Sequence, residues 1–187
     1  MDQLLLLKAA EFAADKHRDQ RRKGQEASPY INHPIQVALV LSQIGQIRDV
    51  SILASALLHD TLEDTKTTGE ELEEHFGSRV RATVAEVTDD QRLSGPERKQ
   101  VQIEKAKHLS YDAAVVKLGD KICNVVDIVK APPIGWSIER RRCYVDWAES
   151  VIAQCPQANL PLEAHFAETV LWVREQLALD EASKALV

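Results

Sequence analysis

The sequence contains no long run of apolar residues. The first such stretch, Leu4 to Leu7, is interrupted at Lys8, whereas a membrane-spanning helix needs about 20 predominantly apolar residues. The same interruption argues against a signal peptide at the N-terminus. The sequence therefore predicts neither a membrane span nor secretion.

Cysteine is scarce and shows no pairing pattern. The three cysteines are Cys123, Cys143 and Cys155, and no two of them form a CxxC pair. An odd number of thiols without that spacing disfavours a cysteine metal site. The simplest interpretation is a cytoplasmic protein whose thiols are reduced.

The sequence also lacks an excess of positive charge. Its formal net charge is −6, from 23 basic and 29 acidic side chains. This balance argues against nucleic-acid or membrane partners held by bulk charge. A small anionic substrate remains compatible, because basic residues are bunched at 16–23 and 140–142. Either run by itself is more typical of a solvated face.

Alternating apolar and polar runs, internal repeats and low-complexity segments are absent as well. At 187 residues the chain is most economically one domain, 1–187, that buries a full core. Helical spacing of apolar residues, with Gly and Pro between the segments, predicts an all-α fold. We expect a single helical bundle of about eight to ten helices. The predicted helices cover about 4–19, 34–44, 48–59, 67–74, 80–87, 97–107, 111–130, 138–154 and 161–177.

The chemistry is predicted to centre on the end of one buried helix. Between residues 50 and 58 the only polar side chains are two serines, which indicates a helix in the core. His59 and Asp60 follow immediately, at the C-terminal end of that helix. There the partial negative charge of the helix dipole adds to the aspartate and favours a cation.

Two further carboxylates, Glu63 and Asp64, follow within one turn. If the helical turn continues, i to i+4 spacing places Glu63 beside His59 and Asp64 beside Asp60. Both carboxylates would then be within reach of a metal-bound water. The alternative at this point is an ordinary helix end followed by a solvated acidic turn.

Two more candidate ligands lie far away in the sequence. Pro34 is well placed at the start of a helix, which fixes His33 at the helix entrance. In the helix predicted at 111–130, Asp120 belongs to a polar stripe on an otherwise apolar cylinder. That stripe, Lys117, Asp120, Asn124 and Asp127, is equally typical of a solvated face with a Lys–Asp pair. If it faces His59 and Asp60 instead, Asp120 completes a metal site.

His33, His59, Asp60 and Asp120 together offer two imidazoles and two carboxylates. This set of nitrogen and oxygen ligands suits Mn, Fe, Co or Zn, and room for water favours an octahedral Mn-like ion. Such an ion lowers the pKa of a bound water from ~15.7 towards ~7 and so supplies hydroxide at neutral pH.

The ordered motifs resemble the HD-domain phosphohydrolases, and among them the (p)ppGpp hydrolase domain of the RelA/SpoT family. The likeness is greatest to small stand-alone members, such as the metazoan SpoT homologue and bacterial small alarmone hydrolases. It covers at least Ala9 to Trp147. The matching stretches are RRK (21–23), PYINHP (29–34), ALLHDTLEDT (56–65), FG (76–77), VTDD (87–90) and VKLGDKICN (116–124).

The resemblance implies a Mn²⁺-dependent enzyme that hydrolyses guanosine 3′,5′-bis(diphosphate), ppGpp, or pppGpp at the 3′ position and releases pyrophosphate with GDP or GTP. It implies one metal ion held by His33, His59, Asp60 and Asp120, with Glu63 and Asp64 as the catalytic acidic pair. The substrate contacts that it implies are Arg22, Lys23, Asn124, Arg140 and Tyr144. Because longer family members continue into a synthetase region, we expect hydrolysis only.

Two departures from the family pattern affect the substrate more than the chemistry. Gly95 stands where relatives often carry a lysine, so Arg98 or Lys99 would have to replace a phosphate contact. Cys123 replaces a bulkier residue and is expected to serve packing. The alternative functions are a phosphohydrolase acting on another nucleotide, such as NADPH at its 2′-phosphate, and a non-catalytic alarmone-binding module. Tyr30 is predicted either to stack on a base or to pack on the core.

Overall fold

The computed structural model describes residues 2–185, and these residues form ten α-helices without a named β-strand. The all-α prediction is confirmed, whereas the assignment of residues 1–187 to a single domain stays a prediction. The helices are α1 (Asp2–Lys16), α2 (Asn32–Gln43), α3 (Val50–Leu58), α4 (Thr61–Asp64), α5 (Gly69–Phe76), α6 (Ser78–Val87), α7 (Gly95–Ala106), α8 (Tyr111–Lys130), α9 (Ile138–Ile152) and α10 (Leu160–Ala185).

Helix α3 lies at the centre of the fold, as its apolar sequence predicted. It begins where the Asp49 side chain accepts a hydrogen bond from the Ser51 amide, and it packs against α1, α2, α6 and α8. Its residues enter two hydrophobic clusters, with Ile52 in one and Leu58 in the other. Because α3 is buried on all sides, its C-terminal end delivers His59 to the interior.

Helix α8 is the second central element and crosses α2 closely at Gly119. A Cβ atom built on Gly119 would lie 2.7 Å from Leu41 Cδ2 and 3.2 Å from Val37 Cγ1. Both neighbours are fully buried core residues. The absence of a side chain at 119 therefore lets α8 approach α2 and brings Asp120 near the start of α2.

We expect the substitution Gly119→Ala to destabilise the protein by about 1–3 kcal/mol, because the overlap with Leu41 outweighs the better helix propensity of alanine. Thermal unfolding should show a fall in Tm of several degrees. The matched control is Gly95→Ala at the first residue of α7, where a Cβ meets nothing within 4 Å. Equal stability of the two variants would contradict this account of the α2–α8 contact.

Two details of the helix predictions were wrong. The helix predicted to begin near residue 67 begins at Gly69 instead, where the Thr68 side chain caps α5 by accepting a hydrogen bond from the Glu71 amide. Helix α10 continues to Ala185 rather than ending near Leu177. The added turns are fastened to α9, where the Arg142 guanidinium lies 2.5 Å from Glu181 Oε2.

The described helices include none that is long and apolar enough to cross a membrane.

Cys123 is buried, in line with the packing role predicted for it, and burial raises the pKa of its thiol to about 12. The two aromatic residues of α9 contact each other, with the Tyr144 and Trp147 ring centres 5.3 Å apart. Trp147 Nε1 donates to the Lys99 carbonyl at 3.1 Å, which joins α9 to α7.

Candidate active site

Four predicted metal ligands converge from three helices and one turn. His33 comes from the first turn of α2, His59 ends α3, Asp60 follows it, and Asp120 lies midway along α8. His59 Nε2 lies 3.1 Å from Asp60 Oδ2 and 3.7 Å from Asp120 Oδ1. His33 Nε2 lies 3.2 Å from Asp120 Oδ1 and 3.8 Å from Asp60 Oδ2. The structure thus brings together residues that are up to 87 positions apart.

His33, His59 and Asp60 can hold a metal ion, since one ligand atom from each lies within 4.8 Å of the others. Asp120 lies beside these three residues, because its Oδ1 is 3.2 Å from His33 Nε2 and 3.7 Å from His59 Nε2. His59 Nδ1 donates to the Ala56 carbonyl at 2.8 Å, which leaves a lone pair on Nε2, and Nε2 is buried without a hydrogen-bond partner. A backbone carbonyl that fixes the imidazole in this way is the usual support of a metal-binding histidine. The donor set therefore fits a divalent cation.

The electrostatics of the cluster also favour a cation. Burial lowers the pKa of His59, but the charges of Asp60 and Asp120 outweigh burial and raise the pKa to about 10, so Nε2 attracts a cation, which is a proton when no metal ion is bound. Burial raises the pKa of Asp60, but His59 reverses this effect and holds the pKa below the usual value for a carboxyl group. The two carboxylates thus create a negative interior potential that a metal ion can neutralise.

Glu63 lies beside the cluster and is held by the loop that follows α6. Its Oε2 accepts the Asp89 amide at 3.0 Å, and its Oε1 accepts Gln91 Nε2 at 2.8 Å. Burial, assisted by the charges of Asp89 and Asp60, raises the pKa of Glu63 to about 7. A carboxyl group with this pKa can exchange a proton near neutral pH.

Asp64 is linked to the cluster by Tyr30, which sequence reasoning had not assigned to either of its possible roles. The Tyr30 hydroxyl donates to Asp60 Oδ2 at 2.7 Å and lies 3.3 Å from Asp64 Oδ2, while its ring packs on His17. Burial and the charge of Asp60 raise the pKa of Asp64. Tyr30 therefore does more than fill the core, because its hydroxyl bridges two carboxylates, and its stacking on a base stays a prediction.

All of these groups line one cleft of about 800 Å³. This volume falls in the range of small-molecule sites. Every predicted site residue contributes to its lining: Arg22, Lys23, His33, His59, Asp60, Glu63, Asp64, Asp120, Asn124, Arg140 and Tyr144. The structure thus brings these residues together in one cleft, and their assignment as site residues stays a prediction.

The basic run at 140–142 divides between the cleft and the surface. The Arg140 guanidinium lies 4.4 Å from the Trp136 ring at the cleft, whereas Arg141 and Arg142 face Asp180 and Glu181 of α10. One run therefore combines a candidate substrate contact with two structural ion pairs.

Arg22, which belongs to the basic run at 16–23, is held in a hydrogen-bond network at the edge of the cleft. Arg22 Nη2 donates to Asp127 Oδ2 at 2.7 Å and to Asn124 Oδ1 at 3.0 Å. Asn124 Nδ2 donates in turn to Asp120 Oδ1 at 2.5 Å. The polar stripe of α8 thus faces the cleft and connects Arg22 to a metal-ligand candidate.

Two buried lysines of the cleft were not predicted to line it together. Lys117 Nζ donates to the Val87 carbonyl at 2.9 Å and is buried, which contradicts the alternative of a solvated face with a Lys–Asp pair. Lys121 Nζ lies 3.5 Å from Asp120 Oδ2 and 4.2 Å from the centre of the Trp147 ring. Their i, i+4 spacing, which places both lysines on one face of α8, was the signal available in the sequence.

Residues 9–141 match the family model described as HD domain. The fold and the His-Asp cluster thus define an HD-domain protein. The chain is 51% identical over 162 residues to guanosine-3′,5′-bis(diphosphate) 3′-pyrophosphohydrolase MESH1 of Xenopus tropicalis, covering 87% of this chain and 90% of the relative. It is also 51% identical to the human MESH1 protein over 158 residues, covering 84% and 88% of the two chains.

The fold of this chain is also similar to that of a solved structure. It is described as a metazoan ortholog of SpoT that hydrolyzes ppGpp and plays a role in starvation responses. It superimposes with a TM-score of 0.85 at 42% sequence identity, covering 88% of this chain and 93% of that chain. The chain therefore belongs to the HD domain family and, within it, to the family of the MESH1 proteins.

Proposed function

We propose that this protein is a metal-dependent hydrolase that removes pyrophosphate from the 3′ position of ppGpp or pppGpp and leaves GDP or GTP. The observation that carries the proposal is the convergence of His33, His59, Asp60 and Asp120 in one cleft with two further carboxylates, those of Glu63 and Asp64. The names of the relatives support the same reaction.

The proposed metal ligands are His33, His59, Asp60 and Asp120, and the proposed ion is a single Mn²⁺. Two imidazole and two carboxylate ligands with space for water suit this ion better than a closed tetrahedral zinc site. When bound, the ion supplies Lewis-acid chemistry and acidifies a water molecule. We also propose a cytoplasmic enzyme whose partner is its small nucleotide substrate.

Glu63 is the proposed base and Asp64 the proposed proton donor. Glu63, with a pKa of about 7, takes a proton from the attacking water. The water oxygen bonds to the inner phosphorus, and the bond from that phosphorus to the ribose 3′ oxygen breaks. Asp64, which lines the same cleft, returns a proton to the ribose oxygen. The Tyr30 hydroxyl group contacts both Asp60 and Asp64 and so fixes the positions of the two carboxylates relative to each other.

Basic and aromatic side chains along the cleft are proposed to bind the nucleotide. Arg140 stacks on Trp136, and Tyr144 packs between Trp136 and Trp147. These rings present flat apolar surfaces, while Lys23 and Arg140 supply positive charge for the phosphates. Arg22 and Asn124 are already joined and would contact the substrate as one unit.

The experiment that tests the proposed substrate compares ppGpp with NADPH at matched concentrations and saturating metal. We expect a kcat/KM for ppGpp at least about 10-fold higher, equivalent to about 1.4 kcal/mol of transition-state stabilisation. A preference for NADPH would keep the hydrolase and overturn the substrate. Binding of ppGpp without any turnover would favour a non-catalytic binding module.

A further inference from the structure

Gln20, which follows α1, connects three parts of the cleft wall. Its Oε1 lies 2.7 Å from His17 Nδ1, and its Nε2 donates to the Asp64 carbonyl at 2.6 Å. Its own backbone carbonyl accepts the Tyr30 amide at 3.1 Å. Gln20 itself lines the cleft. One residue therefore joins the end of α1, the segment before α2 and the end of α4.

The two ends of the Gln20 amide cannot exchange places. A backbone carbonyl only accepts hydrogen bonds, so the NH₂ group of Gln20 must face Asp64. The amide oxygen then faces His17, and Nδ1 of that imidazole must carry the hydrogen. His17 is 1% exposed and packs on Tyr30, with the two ring centres 4.8 Å apart. The buried imidazole therefore fixes the direction in which Gln20 donates.

The segment that Gln20 holds has little support of its own. Helix α4 is only four residues long and ends at Asp64, and the backbone of Thr65 is already extended. The last carbonyl groups of a helix have no hydrogen-bond donor within that helix. The Asp64 carbonyl therefore takes its donor from outside α4, and Gln20 is that donor.

Asp64 is thereby held at two points. Gln20 holds its main chain, and the Tyr30 hydroxyl lies 3.3 Å from Asp64 Oδ2. Two separate contacts fix both the position and the direction of the carboxylate, whereas one contact would leave it free to rotate. This precision is needed because a proton donor must lie about 2.6–3.2 Å from the atom that it serves. A displacement of about 1 Å costs on the order of 10²-fold in rate.

We infer that Gln20 is a positioning residue for Asp64, which it holds through the main chain while Tyr30 holds the carboxylate. The proton-donor role of Asp64 rests on the proposed function. The leaving oxygen takes its proton in the transition state, so displacement of Asp64 lowers kcat and leaves substrate affinity almost unchanged.

The test uses two variants that both remove the donor to the Asp64 carbonyl. Gln20→Met keeps the length of the side chain but has no amide. Gln20→Glu, ionised at neutral pH, keeps an acceptor for His17 Nδ1. The matched control is Gln36→Met, at an exposed glutamine of α2 outside the cleft lining. Helical content and Tm establish that all three variants are folded.

We expect both Gln20 variants to lower kcat about 10- to 100-fold and to leave KM within about twofold of wild type. Gln36→Met should match wild type in both constants. Full kcat in Gln20→Glu would show that Gln20 serves only the packing of His17, and it would overturn the inference. A raised KM with unchanged kcat would overturn it as well.

A double-mutant cycle with Asp64→Asn asks whether Gln20 acts through Asp64. If it does, adding Gln20→Met to Asp64→Asn should lower kcat by less than about twofold further, because the group that Gln20 positions is already gone. Independent, multiplicative losses in the double variant would contradict a positioning role.

Hydrogen exchange of the segment 61–67 supplies a readout that does not need turnover. Gln20→Met should speed exchange there at least about 5-fold, while Gln36→Met leaves it unchanged. Unchanged exchange in an enzyme whose Gln20 variants keep full kcat would overturn the inference alone. Faster exchange in a protein that hydrolyses no ppGpp would confirm the contact between Gln20 and Asp64 and overturn the proposed function.

Discussion

Replacing His59 by alanine is expected to abolish both divalent-metal binding and hydrolysis. His59 Nε2 is buried, has no hydrogen-bond partner and points at Asp60 and Asp120, so its proposed role is to bind the ion. Loss of a direct ligand should weaken metal binding at least about 100-fold, the upper end of what loss of a supporting residue costs. Metal content after dialysis and turnover at saturating substrate measure the two effects.

The control for His59→Ala is His108→Ala, which removes an exposed histidine outside the cleft. It should retain full metal content and activity. Helical content and Tm of the metal-free variants confirm that both remain folded. A His59→Ala protein with normal metal content and normal turnover would contradict the proposed site.

The second large effect is expected at Glu63. Glu63→Gln keeps the size of the side chain and an oxygen for the Asp89 amide, but it removes the proposed base. We expect kcat to fall about 10²- to 10⁴-fold, the usual contribution of a positioned general base. Wild-type kcat should rise as the pH increases through about 7, where Glu63 loses its proton, and this rise should disappear in the variant.

Stability measurements on metal-free protein provide the control for Glu63→Gln. The folded-state pKa of Glu63, about 7, lies above the ordinary glutamate pKa of 4.5, so the folded state binds more protons between these pH values. The free energy of unfolding of the wild type therefore decreases from pH 4.5 to about 7. Glu63→Gln should lose less stability over this range. An inactive variant that is also less stable at pH 8 would indicate misfolding rather than a lost base.

Much of the fold and most of the site could be predicted from local sequence patterns. The almost wholly apolar segment before His59 correctly predicted a buried helix that ends at the His-Asp cluster. Helical spacing also put Asp120 and Asn124 on the face of α8 that lines the cleft. Such predictions succeed because burial and periodicity are properties of short segments.

The features that were missed depend on contacts between distant segments. The Tyr30 hydroxyl meets Asp60, which is 30 residues away, and no local pattern distinguishes that contact from ordinary packing. The pairing of Lys117 with the Val87 carbonyl likewise depends on how α6 lies against α8. Helix α10 was predicted too short because its last turns contact α9 through Asp180 and Glu181.

The central claim is tested most directly by pyrophosphate release from ppGpp by metal-stripped protein, assayed before and after addition of Mn²⁺. The account predicts no release without metal, and release of pyrophosphate with GDP as co-product once Mn²⁺ is restored. Release that does not depend on metal would contradict the proposed role of the His-Asp cluster. No release from folded, metal-loaded protein would contradict the proposed reaction.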